Sequence, residues 1–186
     1  MKHASLFFKQ TLPLAFAITA LSGVLYVVTQ QTIRQAANDP QIQIAEDTAE
    51  ALQNGTPLST FMPVHTINME KSLSPFVIIF DAAGKPIGTA GYLDNTIPVP
   101  PAGVFDHARV LGENHITWQP KPGVRIAAVV KIFNGKINGF VLAGRSLREI
   151  EKREHDLFVL VFLGWLCALG ATLLLQWMSQ IKKHHS

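Results

Sequence analysis

The chain has 186 residues, a formal net charge of +3 and a mean hydropathy of +0.22. All 13 acids lie between residues 29 and 156, and the excess positive charge comes from lysines near the two ends: Lys2, Lys9, Lys182 and Lys183. This distribution excludes a nucleic-acid-binding surface, which would need a basic stripe with interleaved aromatics. The single cysteine, Cys167, excludes an intramolecular disulfide.

The first predicted element is an uncharged apolar helix over residues 12–28, which follows a short N-terminal tail, residues 1–11. At a rise of about 1.5 Å per residue it nearly crosses a hydrocarbon layer about 30 Å thick. A cleaved signal peptide is the alternative, because lysines precede the apolar run. We favour an uncleaved anchor, since the run continues to Val28 with no small-x-small cleavage site at its end.

A second helix is predicted to begin at Asp39-Pro40, because Asp caps helix starts and Pro is tolerated at the first helical position. Apolar residues then recur at helical spacing, at Ile42, Ala45, Ala49 and Leu52. Asn54-Gly55 ends this run. The polar residues 30–38 are predicted to continue the membrane helix, with a kink near Pro40.

The period then changes to that of strands. Residues 76–80 and 86–92 predict a hairpin, and residues 102–110 predict a short helix. Three further strands are predicted at 114–119, 124–133 and 137–143, and Asn134-Gly135 predicts a type I′ turn between the last two. This order predicts an α+β domain over residues 29–156, with a five-stranded antiparallel sheet and helical material on one side.

The last helix has a clear predicted start. Ser146 and Glu149 match a capping box, in which the hydroxyl and the carboxylate satisfy the first backbone N–H groups. No helix breaker follows, so the helix is predicted to continue through Glu151 into a second apolar span, residues 157–178, and a tail, residues 179–186. We expect these three residues to begin a signal helix that carries a displacement of the sheet into the bilayer.

The topology prediction depends on the two tails, which carry lysines and no acid. Positively charged short tails favour the cytoplasmic side. We therefore expect both termini inside and the domain outside.

Three stretches carry a resemblance to a known family: Ala37-Asn38-Asp39-Pro40-Gln41, Thr117-Trp118-Gln119-Pro120 with Pro122-Gly123-Val124-Arg125, and Ala143-Gly144-Arg145-Ser146-Leu147-Arg148-Glu149. Together with the element order between two spans, they resemble the PAS-like extracytoplasmic sensor domains, also called Cache or PDC-type, of bacterial histidine kinases and chemoreceptors. In detail the chain looks like a family of small two-span membrane proteins of unassigned function. The resemblance implies a PAS/Cache-like fold, a place in the bacterial inner membrane and a part in two-component signal transduction.

The chain departs from sensor kinases after the second span. No HAMP helix pair, phosphoacceptor helix or ATP-binding domain follows it. We therefore expect the output to lie in a separate protein, such as a histidine kinase or another membrane protein.

Catalysis, a cofactor and a metal find no support in the sequence. It contains no Gly-x-Ser-x-Gly elbow, no His-Glu-x-x-His and no Gly-rich phosphate loop. His65, His107 and His115 are not at metal-ligand spacing. We expect a protein that is not an enzyme and has no cofactor.

A small-ligand pocket is better motivated. In PAS-like domains the cavity lies between the sheet and the crossover segment, and the candidate lining residues here are Tyr92, Asp94, Asp106, His107, Arg109, Trp118 and Arg125. Aromatic walls with one or two cations suit a small carboxylate or another polar metabolite. The alternative is that Trp118 belongs to the core and that the arginines pair with nearby acids: Asp94, Asp106 or Glu113.

Two functions from different classes fit these observations. The first is a non-enzymatic, membrane-anchored extracytoplasmic sensor or regulatory subunit that passes a signal through the second span to a membrane partner. The alternative is a structural or assembly protein of the cell envelope that uses the domain as a protein-binding module. Small residues at four-residue steps in the spans allow close helix packing, within the chain or in a homodimer: Ala15, Thr19, Gly23, Gly164 and Ala168.

Overall fold

The computed structural model describes residues 2–62 and 66–184, with side chains at all of these positions except 2–10, 37–39, 180 and 182–184. His65 and the side chains of Lys2, Lys9, Lys182 and Lys183 therefore lie outside the described residues. The chain forms two compact units. One is Arg34–Glu151, and the other consists of the remaining parts of the two long helices.

The two long helices are α1 (Lys2–Gln53) and α3 (Arg148–His184). Both are long and apolar enough to cross a membrane, by length and composition. The predicted helix start at Asp39-Pro40 is wrong, because both residues lie inside α1. The following turns are buried at Gln41 and Ala45, and we infer that this packing outweighs the roughly 3 kcal/mol that a proline costs in a helix interior.

The remaining elements are short. A 3₁₀ turn (Leu58–Phe61) follows α1, and the third helix is α2 (Ala102–Leu111). The strands are β1 (Ile67–Asn68), β2 (Phe76–Asp81), β3 (Pro86–Thr89), β4 (Gly91–Tyr92), β5 (Glu113–Lys121), β6 (Val124–Asn134) and β7 (Asn138–Ser146). Five of them form a sheet in the order β3-β2-β7-β6-β5, with every neighbouring pair antiparallel. The prediction of an α+β chain with a five-stranded antiparallel sheet is confirmed.

The predicted return strand at 86–92 is divided in two. β3 ends at Thr89, and β4 leaves the hairpin to pair in parallel with β1. The Thr89 hydroxyl accepts from the Gly91 N–H at 3.0 Å and donates to the Gly91 carbonyl at 2.7 Å, which turns the chain away from β2. Gly91 permits this turn because a Cβ there would lie 2.9 Å from the Phe76 ring.

The predicted type I′ turn at Asn134-Gly135 is wrong. The β6–β7 connection is a three-residue loop, 135–137, which is closed by the pair Asn134 and Asn138. Neither Asn134 nor Gly135 has a positive φ. Glycine suits position 135 for another reason, because a Cβ there would make a tight contact, 3.1 Å from the Gln53 Cα and the Leu52 carbonyl oxygen.

Helices cover both faces of the sheet, not one as predicted. On one face Phe105 and Ala108 of α2 pack into the main core: Met69, Phe76, Ile78, Phe80, Leu93, Trp118, Val124, Ile126, Ala128, Val130, Phe140 and Leu142. On the other face α1 contributes Ala45, Ala49 and Leu52, which pack against Ile79, Val129, Phe133, Val141 and Ala143. Strands buried on both faces have continuous apolar runs rather than alternation, and residues 126–130 show such a run.

Candidate functional site

The predicted ligand residues on α2 are engaged with each other and with a turn. The Arg109 guanidinium pairs with Asp106 one turn earlier, and its Nη2 donates to the Ala82 carbonyl at 2.7 Å. Its Cζ lies 5.1 Å from the centre of the Phe140 ring, over an aromatic face that attracts cations. Arg109 therefore holds α2 against the β2–β3 turn. His107 is exposed on the same helix.

The other predicted ligand residues are spread over the domain. Trp118 is 8% exposed and belongs to the main core, and Tyr92 is half-buried on β4. Arg125 Nη1 lies 2.5 Å from the carboxylate of Glu151, and Asp94 pairs with Lys121. Among the described side chains of the seven candidates, the Asp106–Arg109 pair is the one direct polar contact.

Three aromatic rings pack together beneath the crossover helix. Phe105 of α2 lies with its ring centre 5.0 Å from those of Phe80 and Phe140, one ring from each of two neighbouring strands. Such edge-to-face and tilted pairs stabilise a core beyond the area that they bury. This packing occupies part of the space in which a PAS-like cavity was expected.

Several polar contacts meet at the point where the sheet passes into α3, and we name residues 145–151 with Arg125 the α3 junction. One residue, Leu147, separates β7 from α3, and its N–H donates to the Arg125 carbonyl at 2.9 Å. Ser146 is buried, and its hydroxyl accepts a long hydrogen bond, 3.4 Å, from the Arg148 N–H. The Glu151 N–H donates to the Leu147 carbonyl at 2.9 Å, which closes the first helical turn.

Two arginines tie a distant segment to this junction. Arg145 Nε donates to the Leu73 carbonyl at 2.9 Å. Arg148 donates to the carbonyls of Glu70 at 3.3 Å and Lys71 at 3.1 Å. The segment between β1 and β2 is therefore attached to the beginning of α3 through main-chain acceptors.

A second charged cluster joins α1 to the sheet. Lys131 on β6 lies 3.2 Å from the carboxylate of Glu46 on α1 and 2.9 Å from that of Glu113 on β5. The hydrogen bond from Lys131 lowers the pKa of Glu113, and the same bond raises the pKa of Lys131. His115 lies 3.2 Å from Glu113. This cluster was not predicted from the sequence. The one indication of it there is Lys131, a cation within the apolar strand β6.

A third cluster joins the β4–α2 connection to β5. Lys121 lies 3.1 Å from Asp94 and 3.3 Å from Glu70. Its pKa is raised, first by the hydrogen bond to Asp94. Asp94 and Asn95 both have positive φ, at 48° and 61°, a conformation that Asp and Asn adopt more readily than most residues. No group of three His, Cys, Asp or Glu residues within the described ranges could hold a metal ion.

In the helical unit, polar and aromatic contacts join the two apolar helices. Trp165 Nε1 donates to the Thr19 hydroxyl at 2.9 Å, and the rings of Tyr26 and Phe158 meet edge to face at 5.9 Å. Gly23 lines an apolar groove of about 330 Å³ between the helices. A Cβ at Gly23 would meet nothing within 4 Å, so the small-residue row on α1 leaves space at this position.

Comparisons of the chain with protein-family models, with curated proteins and with solved structures returned no match. Membership of the PAS/Cache family stays a prediction from the quoted motifs, and the α+β architecture is what the structure establishes.

Proposed function

We propose that the protein is a membrane-anchored, non-enzymatic sensor or regulatory subunit that passes a signal through α3 to a separate membrane partner. In this proposal the unit Arg34–Glu151 lies outside the inner membrane of a bacterium, and both termini lie in the cytoplasm. The partner is a histidine kinase or another membrane protein, with a second copy of the chain as a further candidate.

The α3 junction is the observation that carries the proposal. A displacement of the segment after β1, or of β6, moves groups that are bonded directly to the first turn of α3. Each exposed ion pair contributes about 0–1 kcal/mol, so the Arg125–Glu151 pair alone would couple the sheet only weakly to α3. The stronger coupling comes from the backbone, because a single residue lies between the central strand β7 and a 37-residue helix.

The membrane assignment has separate support. Both long helices pass the length and hydropathy requirements for a span. Within the described residues, the helical unit exposes large apolar side chains on α1 and α3, such as Phe16, Leu21, Leu160 and Leu175. In water these side chains would be costly, at roughly 25 cal/mol per Å² of apolar area, whereas lipid removes that cost.

The PAS/Cache resemblance supports the same function. It depends on an order of two strands, a helical crossover and three strands leading into a helix. The strands of the five-stranded sheet follow this order, with β2 and β3 before α2 and β5, β6 and β7 after it, whereas β1 and β4 lie outside that sheet. The resemblance would make the domain a detector of a small molecule or of a protein ligand.

The alternative, an envelope assembly protein that binds other proteins, is favoured by one observation. The Phe105 ring packs against those of Phe80 and Phe140 and gives this part of the domain a packed aromatic interior. A domain that uses its surface alone as a binding module would have such an interior.

A topology experiment tests the membrane arrangement. In a Cys167→Ser background, single cysteines replace Ala83 in the β2–β3 turn and Asn134 at the end of β6. We expect a membrane-impermeant maleimide to label both in intact cells, and a reporter fused after Ser186 to be active on the cytoplasmic side. Labelling only after lysis would overturn the extracytoplasmic assignment.

A crosslinking experiment separates the two functions. A photoreactive amino acid is placed at Leu174, exposed on α3, or at Thr117, exposed on β5. A sensor that signals through the span should crosslink to a membrane protein from Leu174. Crosslinks from Thr117 alone would favour the assembly protein.

A further inference from the structure

A partly enclosed cavity of about 200 Å³ lies at the end of α1, away from the predicted ligand residues. It is bounded by the last turn of α1, the segment that follows it and the β6–β7 loop. Its lining residues include Leu52, Gly55, Thr56, Leu58, Phe133 and Lys136.

The walls of the cavity are held in place by backbone geometry. Gly55 has a φ of +87°, its N–H donates to the Leu52 carbonyl at 3.1 Å, and the Thr56 N–H donates to the Ala51 carbonyl at 2.9 Å. This is a Schellman ending, in which the last helical carbonyls are satisfied within the chain. Gly135 lets the β6–β7 loop approach the same turn.

Two polar side chains line the cavity, the half-buried Thr56 and the exposed Lys136. Among the described residues, the Lys136 ammonium forms no ion pair or hydrogen bond, and the Thr56 hydroxyl forms no hydrogen bond. The other lining side chains are apolar, with Phe133 and Leu58 on the walls. A cavity with apolar walls and a few convergent polar groups is the usual form of a small-molecule site.

We propose that this cavity binds a small monocarboxylate with an apolar body. The carboxylate accepts hydrogen bonds from Lys136 and Thr56, and the body packs against Phe133 and Leu58. One ammonium balances one negative charge, whereas a phosphate dianion would leave charge uncompensated beside apolar walls. A neutral apolar molecule would forgo the charge-assisted hydrogen bond.

The site deepens the proposed function, and its biological meaning rests on that proposal. A ligand here contacts α1, residues 56–58 and the β6–β7 loop together, so its binding energy would hold these three segments in one arrangement. Ligand binding would therefore affect α1 and the strand pair β6–β7. The other end of this strand pair reaches the α3 junction.

The test uses the full chain in lipid nanodiscs, with benzoate as the probe and benzyl alcohol as its neutral isostere. We expect benzoate, and not benzyl alcohol, to raise the unfolding temperature in a saturable way. Lys136→Met keeps the aliphatic stem and should weaken benzoate binding about tenfold or more, since a charge-assisted hydrogen bond is lost. Thr56→Val should weaken it less, and Lys85→Met, in the β2–β3 turn, is the matched control that should bind normally.

Equal stabilisation by benzoate and benzyl alcohol, or unchanged benzoate binding in Lys136→Met, would overturn the site. The unfolding temperature of each variant without benzoate shows whether it is folded. If Lys136→Met proves unfolded, Thr56→Val is used in its place. Normal benzoate binding by folded Thr56→Val would then count against the proposal. Because binding is measured without any partner, a negative result here leaves the signalling proposal intact, and a missing partner leaves the site intact.

Discussion

The main-chain N–H of Leu147 donates to the carbonyl of Arg125 at 2.9 Å, one residue before α3 begins. This bond extends the β6–β7 ladder past its last paired residues, Ile126 and Ser146. The sheet therefore holds the chain up to the residue that precedes the helix. Leu147 alone lies between β7 and α3, and under the proposed function this backbone connection is the route by which a change in the sheet would reach the helix.

Glu151→Pro should uncouple α3 from the sheet. It removes the N–H that donates to Leu147 and introduces a ring clash, at a cost of roughly 3 kcal/mol in a helix interior. We expect circular dichroism to show a folded domain, because the strands end at Ser146, while the response of the crosslinked partner is lost.

Glu151→Ala is the control for that experiment. It removes the exposed ion pair with Arg125, worth about 0–1 kcal/mol, and leaves the backbone bond. It should therefore keep the response. A normal response in the proline variant would show that α3 is a passive tether.

Gly135→Ala should destabilise the domain by about 1–3 kcal/mol, the usual cost of overpacking. The new Cβ would lie 3.1 Å from backbone atoms of Gln53 and Leu52, which have little room to move. Gly103→Ala is the matched control, because a Cβ there meets nothing within 4 Å and the site is exposed on α2.

In chemical denaturation, Gly103→Ala should raise the free energy of unfolding by about 0.5–1 kcal/mol. If Gly135→Ala were equally harmless, the contact between the β6–β7 loop and the end of α1 would not exist in solution.

Local signals in the sequence were sufficient for most elements of the sheet. The β-branched run in β2, the hairpin loop before Pro86 and the long apolar strand β6 depend on neighbouring residues, and their positions agree with the structure. The Gly135 position was also recognised, but for the wrong reason. Its constraint comes from Gln53, which is distant in the sequence, and a turn motif carries no information about such a contact.

Non-local features could not be predicted in this way. β1 has two residues and is defined only by its parallel pairing with β4. The ion pair between Lys131 and Glu46 joins residues 85 positions apart. The cavity at Lys136 likewise exists only once α1 lies on the sheet, so neither its lysine nor Thr56 had any distinguishing mark in the sequence.

The Glu113–Lys131 pair predicts a loss of stability in acid. The folded pKa of Glu113 lies below its ordinary value of 4.5, mainly because Lys131 donates to the carboxylate. The folded state therefore binds fewer protons than the unfolded state as pH falls toward and below 4.5. The stabilisation is present above the unfolded pKa and is lost as pH falls through the folded pKa.

Unfolding temperatures measured between about pH 6 and pH 3 test whether stability falls as the pH falls. Over that range the unfolding temperature of the Glu113→Gln variant should fall less than that of the parent protein. In a Lys131→Met background the same substitution should change the slope less, because the hydrogen bond from Lys131, the largest cause of the lowered pKa of Glu113, is already gone. A slope change of undiminished size in that background would assign the acid sensitivity to another partner of Glu113, such as His115.

Gln41 is a buried polar residue in the contact between α1 and the sheet. Its side chain is 1% exposed, and neither its amide oxygen nor its amide nitrogen has a hydrogen-bond partner among the described residues. An unsatisfied buried polar group costs about 1–3 kcal/mol. Gln41→Met, which keeps the length and removes the amide, should therefore raise the free energy of unfolding by a similar amount.

Gln43→Met is the control, because Gln43 is exposed two positions further along the same helix and its replacement should change little. A loss of stability in Gln41→Met would mean that water or a residue outside the described ranges satisfies the amide. A gain would show that the chain retains a destabilising group where α1 meets the sheet. In a sensor, such a group lowers the free energy needed to shift α1, so the stabilised variant should also respond more weakly to the same stimulus.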